Sequence, residues 1–251
     1  MLESDDFIRY KRQILFGEIG ESGQQTLRNS KVLVIGAGGL GSPVLYYLTA
    51  VGIGTIGVVD ADVVELSNLN RQFLHFEADI GMEKTKSAAS KLKAFSPKTI
   101  FHEHPVKLDH KNIDTIIESY DLIVDCVDNL ETRYLVNQAC YLHKKPLIEA
   151  GIMGFDGFVM SIIPDKGPCY QCFNPQMPPK TPAQATPPPV VGATAGIAGS
   201  MQVIEAVKIL LGIGQPLTSR LLVFDAFYVE FSLIELAKNE LCPICGSKKT
   251  L

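Results

Sequence analysis

The segment KVLVIGAGGLGS, residues 31–42, constrains the fold more than any other part of the chain. An apolar run of strand character enters a turn in which Gly36, Gly38 and Gly41 follow the spacing G-x-G-x-x-G. Ser42 then opens an apolar helical pattern. Glycine at these places permits a tight turn and a close approach of backbone to ligand, and the N-terminus of the following helix faces an anion. Asp60 ends the next apolar run, 19 residues after Gly41. A carboxylate there accepts hydrogen bonds from ribose hydroxyls. The competing reading is a glycine turn used only for packing; strand, helix and acid together favour a nucleotide.

The same alternation continues. Strand patterns at 31–35, 55–60, 100–106 and 121–127 are separated by helical patterns at 42–51, 82–95, 110–119 and 131–143. This predicts an α/β, Rossmann-like, mainly parallel sheet with helices on both faces. Residues 4–28 read as helix with Ser4 as N-cap, making 1–30 an N-terminal helical segment. Residues 146–152 and 157–164 read as strands in quick succession and extend the sheet with antiparallel pairing. Residues 175–189 hold seven of the fifteen prolines, so neither helix nor central strand survives there. The stretch 175–191 is therefore a crossover loop. A Gly/Ala-rich helix at 192–212 and strands at 220–225 and 227–234 complete the pattern. With 251 residues and 46% hydrophobic composition, one core suffices. The expected organisation is a single domain over 1–251, with its nucleotide-binding core at 31–165 and a C-terminal helix, strands and zinc knuckle at 192–251.

The nucleotide is decided by its phosphates. A dinucleotide's pyrophosphate is served by backbone amides and a helix end, whereas a triphosphate carries about four charges and needs cations and a metal. Cations and acids occur where the strands end. The stretch DADVVELSNLNRQ clusters Asn68, Asn70, Arg71 and Gln72 directly after the second strand. Lys84 falls on the stripe of Ala88, Leu92 and Phe95, at the N-terminal end of its helix. A cation is badly placed there for the helix dipole and makes sense if it meets an anion. The alternative is a lysine that reaches to solvent. Asp128 and Asn129 end the fourth strand pattern, at the same sheet edge as the glycine turn. There Asp128 holds Mg2+ or, alternatively, caps the next helix.

Six cysteines are present. Cys169 with Cys172 and Cys242 with Cys245 form two C-x-x-C pairs, the full thiolate set of a tetrahedral structural zinc. Redox pairs or disulfides are the rivals. Cys126 and Cys140 sit in apolar surroundings. His102 and His104 share a strand face as two solvated residues, and His75, His110 and His143 sit in polar segments. Net charge is −4, so nucleic acid is not an expected partner. The polar N-terminus and the lack of a long uninterrupted apolar run predict a soluble, cytoplasmic chain without membrane contact.

The ordered motifs RYKRQ, GAGGLGS, DADVVELSNLNRQ, GMEKT, DCVDN, CYQC and CPIC resemble the ThiF/MoeB/HesA-type adenylyltransferases, bacterial relatives of ubiquitin-activating enzymes. The similarity runs from about residue 7 to 246. It implies ATP and Mg2+ as cofactors, a homodimer, and adenylation of the C-terminal glycine of a ubiquitin-like sulfur carrier ending in Gly-Gly. It further implies that Gly39 brings a backbone amide to the nucleotide and that Asp60 holds the ribose. Ser67, Asn68, Arg71 and Gln72 order the phosphates, Lys84 binds them, and Asp128 beside Asn129 holds Mg2+. Arg12 reaches the other subunit's ATP. Many members carry a cysteine in the crossover loop; here that loop has none, and the matching position falls near Ala185. Three readings compete: an NAD- or FAD-dependent oxidoreductase, a non-catalytic binding protein, and adenylation of a non-carrier carboxylate. The oxidoreductase reading leaves Lys84, Arg71 and the cysteine pairs unexplained.

Overall fold

The computed structural model describes residues 2–175 and 189–247. One eight-stranded sheet runs through them in the order β3-β2-β1-β4-β5-β6-β7-β8. The strands β1 (Lys31–Ile35), β2 (Thr55–Val59), β3 (Ile100–His104), β4 (Leu122–Asp125) and β5 (Leu147–Met153) pair in parallel. The strands β6 (Asp156–Ile162), β7 (Arg220–Asp225) and β8 (Glu230–Glu235) continue antiparallel. The expected architecture is present. Val32, Leu33, Val34, Leu122, Ile123 and Val124 are fully buried, as strands covered on both faces require.

The crossover helices are α4 (Gly41–Val51), α5 (Lys84–Phe95), α6 (Ile113–Glu118) and α7 (Leu130–Leu142). The strands β2, β3 and β4 are shorter than their sequence patterns, and Asp60 and Asp128 lie in the loops beyond the strand ends. The order reverses between β1 and β4. At such a switch point the loops from the two strands diverge and leave a crevice at their C-terminal ends.

The predicted N-terminal helix is broken into α1 (Ser4–Arg9), α2 (Lys11–Ile14) and α3 (Gly20–Asn29). α2 stops at Ile14, and Gly20, the first residue of α3, adopts φ 57°, so one continuous helix does not run through it. Glu3, not Ser4, occupies the N-cap, and its amide donates to Asp6 Oδ2 at 3.0 Å. A short helix, α8 (Tyr170–Phe173), starts after Cys169 and carries Cys172. Strand β8 begins at Glu230 rather than 227, because the amides of Phe227 and Tyr228 donate to Asp225 Oδ1 and close a turn first.

Helix α9 (Gly192–Leu211) is long and apolar enough, by length and composition, to cross a membrane. Here it packs against α4, β5 and β6, with Gly199 against Pro43 and Ala195, Ala198 and Ala206 fully buried. Its buried Gln202 donates to the carbonyls of Asp125 and Ile148 at 2.7 and 3.3 Å, binding β4 and β5 from one side. Residues 176–188 of the expected proline-rich crossover loop, Ala185 among them, lie outside the described residues.

Candidate nucleotide site and cysteine cluster

The crevice at the switch point is a cavity of about 610 Å3. Gly36, Gly38, Gly39, Asp60, Arg71, Gln72, Lys84, Asp128 and Asn129 line it together, as do Asp62, Lys107, Thr132 and Arg133. Four expected site residues lie off its lining. Gly41 is buried behind the turn, Ser67 and Asn68 sit in the short turn Leu66–Asn68, and Arg12 is exposed on α2.

The turn needs glycine for two separate reasons. Gly36 adopts φ 101°, and a Cβ there would stand 2.7 Å from the Cys126 carbonyl oxygen. A Cβ on Gly41 would stand 2.0 Å from the Gly36 carbonyl oxygen. Gly41 thus shapes the turn rather than touching a ligand. Asp60 braces the same turn: its Oδ2 accepts from the Ala37 amide at 2.8 Å and its Oδ1 from the Asp62 amide at 2.9 Å. A carboxylate has about four acceptor positions, so capacity for two ribose hydroxyls remains.

Lys84 is buried, and its Nζ lies 2.9 Å from Asp62 Oδ2. Asp62 is largely exposed, so the pair is open to solvent on one side. Arg71 donates to the Ser67 carbonyl at 3.0 Å and to Asn70 Oδ1 at 2.9 Å, which turns its guanidinium along the cavity edge. Asn68 has an ordering role instead of a lining one, its Oδ1 accepting from the Glu65 amide at 3.2 Å. Asn129 caps α7 by accepting from the Thr132 amide at 2.9 Å, leaving Asp128 beside it on the cavity wall.

Behind Asp128 lies a buried ion group that sequence reasoning missed. The Arg133 guanidinium donates to Glu149 Oε2, to the Ala150 carbonyl and to the Val127 carbonyl, each at 2.8 Å. Glu149 is paired in register with Asp125 on the adjacent strand. Asp125 Oδ1 accepts from the Val127 amide at 2.9 Å. Burial pushes both carboxyls above the ordinary range, Glu149 farthest because Asp125 also repels its charge. Asp125 Oδ2 and Glu149 Oε1 have no other partner, and one proton between them satisfies both. The 3–4 spacing of apolar residues on α7 concealed Arg133, since a charged residue normally marks the solvent face.

Cys169 and Cys242 have their Sγ atoms 3.6 Å apart, and Cys172 and Cys245 3.2 Å apart. All four lie within 4.8 Å of one another, and the chain has only free thiols. A disulfide requires about 2.05 Å. Burial and the neighbouring thiols push Cys169 up to about 11. Four sulfurs packed this closely ionise together only around a cation, so the donor set fits zinc. Cys126 and Cys140 are buried, and desolvation raises both thiols well above their ordinary value. His102 and His104 are not simply solvated: their ring nitrogens lie 3.4 and 2.9 Å from the Tyr120 hydroxyl.

Comparison with known proteins adds to this geometry. A model of the ThiF family matches residues 10–244. A sulfur carrier protein adenylyltransferase of Thermus thermophilus is 42% identical over 98% of this chain and 93% of its own length. The SAMP-activating enzyme E1 of Haloferax volcanii is 40% identical over 98% of this chain and 91% of its own. Among solved structures, E. coli MccB superimposes with a TM-score of 0.86 at 22% identity, over 98% of this chain and 75% of that one, and so shares the fold.

Proposed function

The chain belongs to the ThiF family, and on that premise we propose that it uses ATP to adenylate the C-terminal glycine carboxylate of a ubiquitin-like sulfur carrier. One observation carries the reading: Arg71, Lys84 and Asp128 share a cavity with a glycine turn and a ribose-binding acid. A nicotinamide site has no use for that many phosphate-directed charges.

The carrier carboxylate is already ionised at neutral pH and needs no general base. Its oxygen attacks the α-phosphorus, and the bond from that phosphorus to the bridging oxygen of the leaving group breaks, releasing pyrophosphate. Negative charge builds on both sides of the phosphorus. Lys84 gives up Asp62 for the phosphates, and Arg71 meets them from the cavity edge. Asp128 is the carboxylate suited to a hard cation, and bound Mg2+ would neutralise phosphate charge there. Asn129, capping α7, and Arg133, on the Val127 carbonyl, fix the turn that carries that acid. The cavity wall at Gly151, Ile152 and Val190 gives a thin tail such as Gly-Gly a path to the phosphates.

The carrier's body has a candidate platform in β8. Among the described residues that strand pairs with β7 alone, and Phe231, Leu233, Phe227 and Tyr228 are exposed on and beside it. Zinc at Cys169, Cys172, Cys242 and Cys245 would clip these last strands to the fold. Arg12 lies off the cavity of its own chain, on a helix flanked by exposed Ile8, Leu15 and Phe16. This supports a homodimer in which Arg12 serves the partner's nucleotide. Reduced thiols of this kind belong in the cytoplasm. With no cysteine at 180–196, and Cys126 and Cys140 buried, the enzyme stops at the acyl-adenylate and passes it to a separate sulfur donor or acceptor. Calorimetry tests the nucleotide: Mg-ATP should bind and NAD should not. NAD binding without an ATP response would sink the proposal.

A further inference from the structure

His75 sits in a segment that reads as polar, yet it is 3% exposed and wedged between α5 and the glycine turn. Its Nε2 lies 2.8 Å from the Ala37 carbonyl oxygen. That oxygen can only accept, so Nε2 carries a proton. Its Nδ1 lies 2.8 Å from Ser87 Oγ. Lys91 Nζ donates to the same hydroxyl at 2.9 Å. With that ammonium on one lone pair of the hydroxyl, a bare Nδ1 can take the hydroxyl's own proton.

The charges facing the ring favour this arrangement. Lys91 and Lys84 both oppose a second ring proton, and desolvation acts in the same direction. Among the described residues Asp79 is the acid facing it; Lys91 and the Phe76 amide already engage it, and it also competes for the Ser87 hydroxyl.

The consequence reaches the ligand side. Ala37 is gripped twice, its amide by Asp60 and its carbonyl by His75. In a trans peptide the carbonyl and the next N–H point in opposite directions. Holding the Ala37 carbonyl inward therefore aims the Gly38 N–H outward, and Gly38 lines the cavity. We infer that His75 is a positioning residue: as a neutral Nε2–H imidazole it fixes the Ala37–Gly38 peptide so that the Gly38 amide donates to a nucleotide phosphate.

The inference rests on the nucleotide reading for its ligand, but not for its ring state, so two measurements separate them. In the nucleotide-free protein, nitrogen NMR of the histidine rings should show His75 neutral at pH 7 with its proton on Nε2. A charged ring, or a proton on Nδ1, overturns the inference whatever the ligand. Calorimetry with Mg-ATP then compares three variants. A glutamine amide nitrogen reaches the Nε2 position, whereas an asparagine amide reaches only Nδ1. His75→Ala and His75→Asn should weaken ATP about tenfold, the worth of one buried hydrogen bond, and His75→Gln should recover most of that loss. Asparagine and glutamine variants with equal ATP affinity would mean the ring only fills space, and would also overturn the inference.

Discussion

Replacing Arg133 by methionine keeps most of the side-chain volume and removes the cation that, among the described residues, faces Asp125 and Glu149. Arg133 and Glu149 are almost wholly buried, at 6% and 0% side-chain exposure. Removing one partner of a buried pair typically costs about 3–5 kcal/mol. The carbonyls of Val127 and Ala150 lose their donors as well. Burial favours the protonated form of Glu149 and so offsets part of this cost, which places the loss toward the lower end. For a chain of this size each kcal/mol moves the melting temperature by roughly 2–4 °C, so a fall of about 6–12 °C is expected. Calorimetric melting at pH 7 measures it. Adding Glu149→Gln to Arg133→Met should recover part of the loss, because a neutral amide no longer needs the cation. ATP affinity should fall as well, since the Val127 carbonyl anchors the turn that carries Asp128. Arg133→Met melting within about 2 °C of wild type would refute the argument that this pair is buried at low dielectric.

Asp128→Ala should abolish adenylate formation, followed by pyrophosphate release, while leaving the melting temperature nearly unchanged. His75 titrates below its ordinary value, so between there and pH 6.5 the unfolded chain binds more protons than the native one. Stability should therefore fall as pH drops through this window, and less so in His75→Gln, by thermal melts across the acid range. Elemental analysis should find one zinc per chain, and chelation should raise hydrogen exchange in β7 and β8 before it alters ATP affinity. Mixed chains of Arg12→Ala and Asp128→Ala should regain part of the activity that each lacks alone; no recovery would argue against a shared site.

Much of this was legible because the chemistry coincided with strand ends. Asp60 and Asp128 stand out as acids that stop apolar runs, and the fold then brings the C-terminal ends of the parallel strands to one edge. Lys84 was legible as a cation on a buried stripe. What the sequence concealed depends on packing across the sheet. Nothing local marks Glu149 as the neighbour of Asp125, since 24 residues separate them and only the β4–β5 register joins them. His75 lies in a polar stretch, and its burial follows from how that stretch folds back over α5. The break in the N-terminal helix was readable from Gly17 and Gly20, but apolar periodicity across them masked it.

The central claim is tested most directly by exchange of labelled pyrophosphate into ATP, with the purified chain, Mg2+ and a small ubiquitin-like sulfur carrier ending in Gly-Gly. Label should enter ATP only when the carrier is present, and removal of its last two glycines should stop it. Exchange that ignores the carrier's C-terminus, or its absence with intact carriers while the chain binds NAD, would contradict the account.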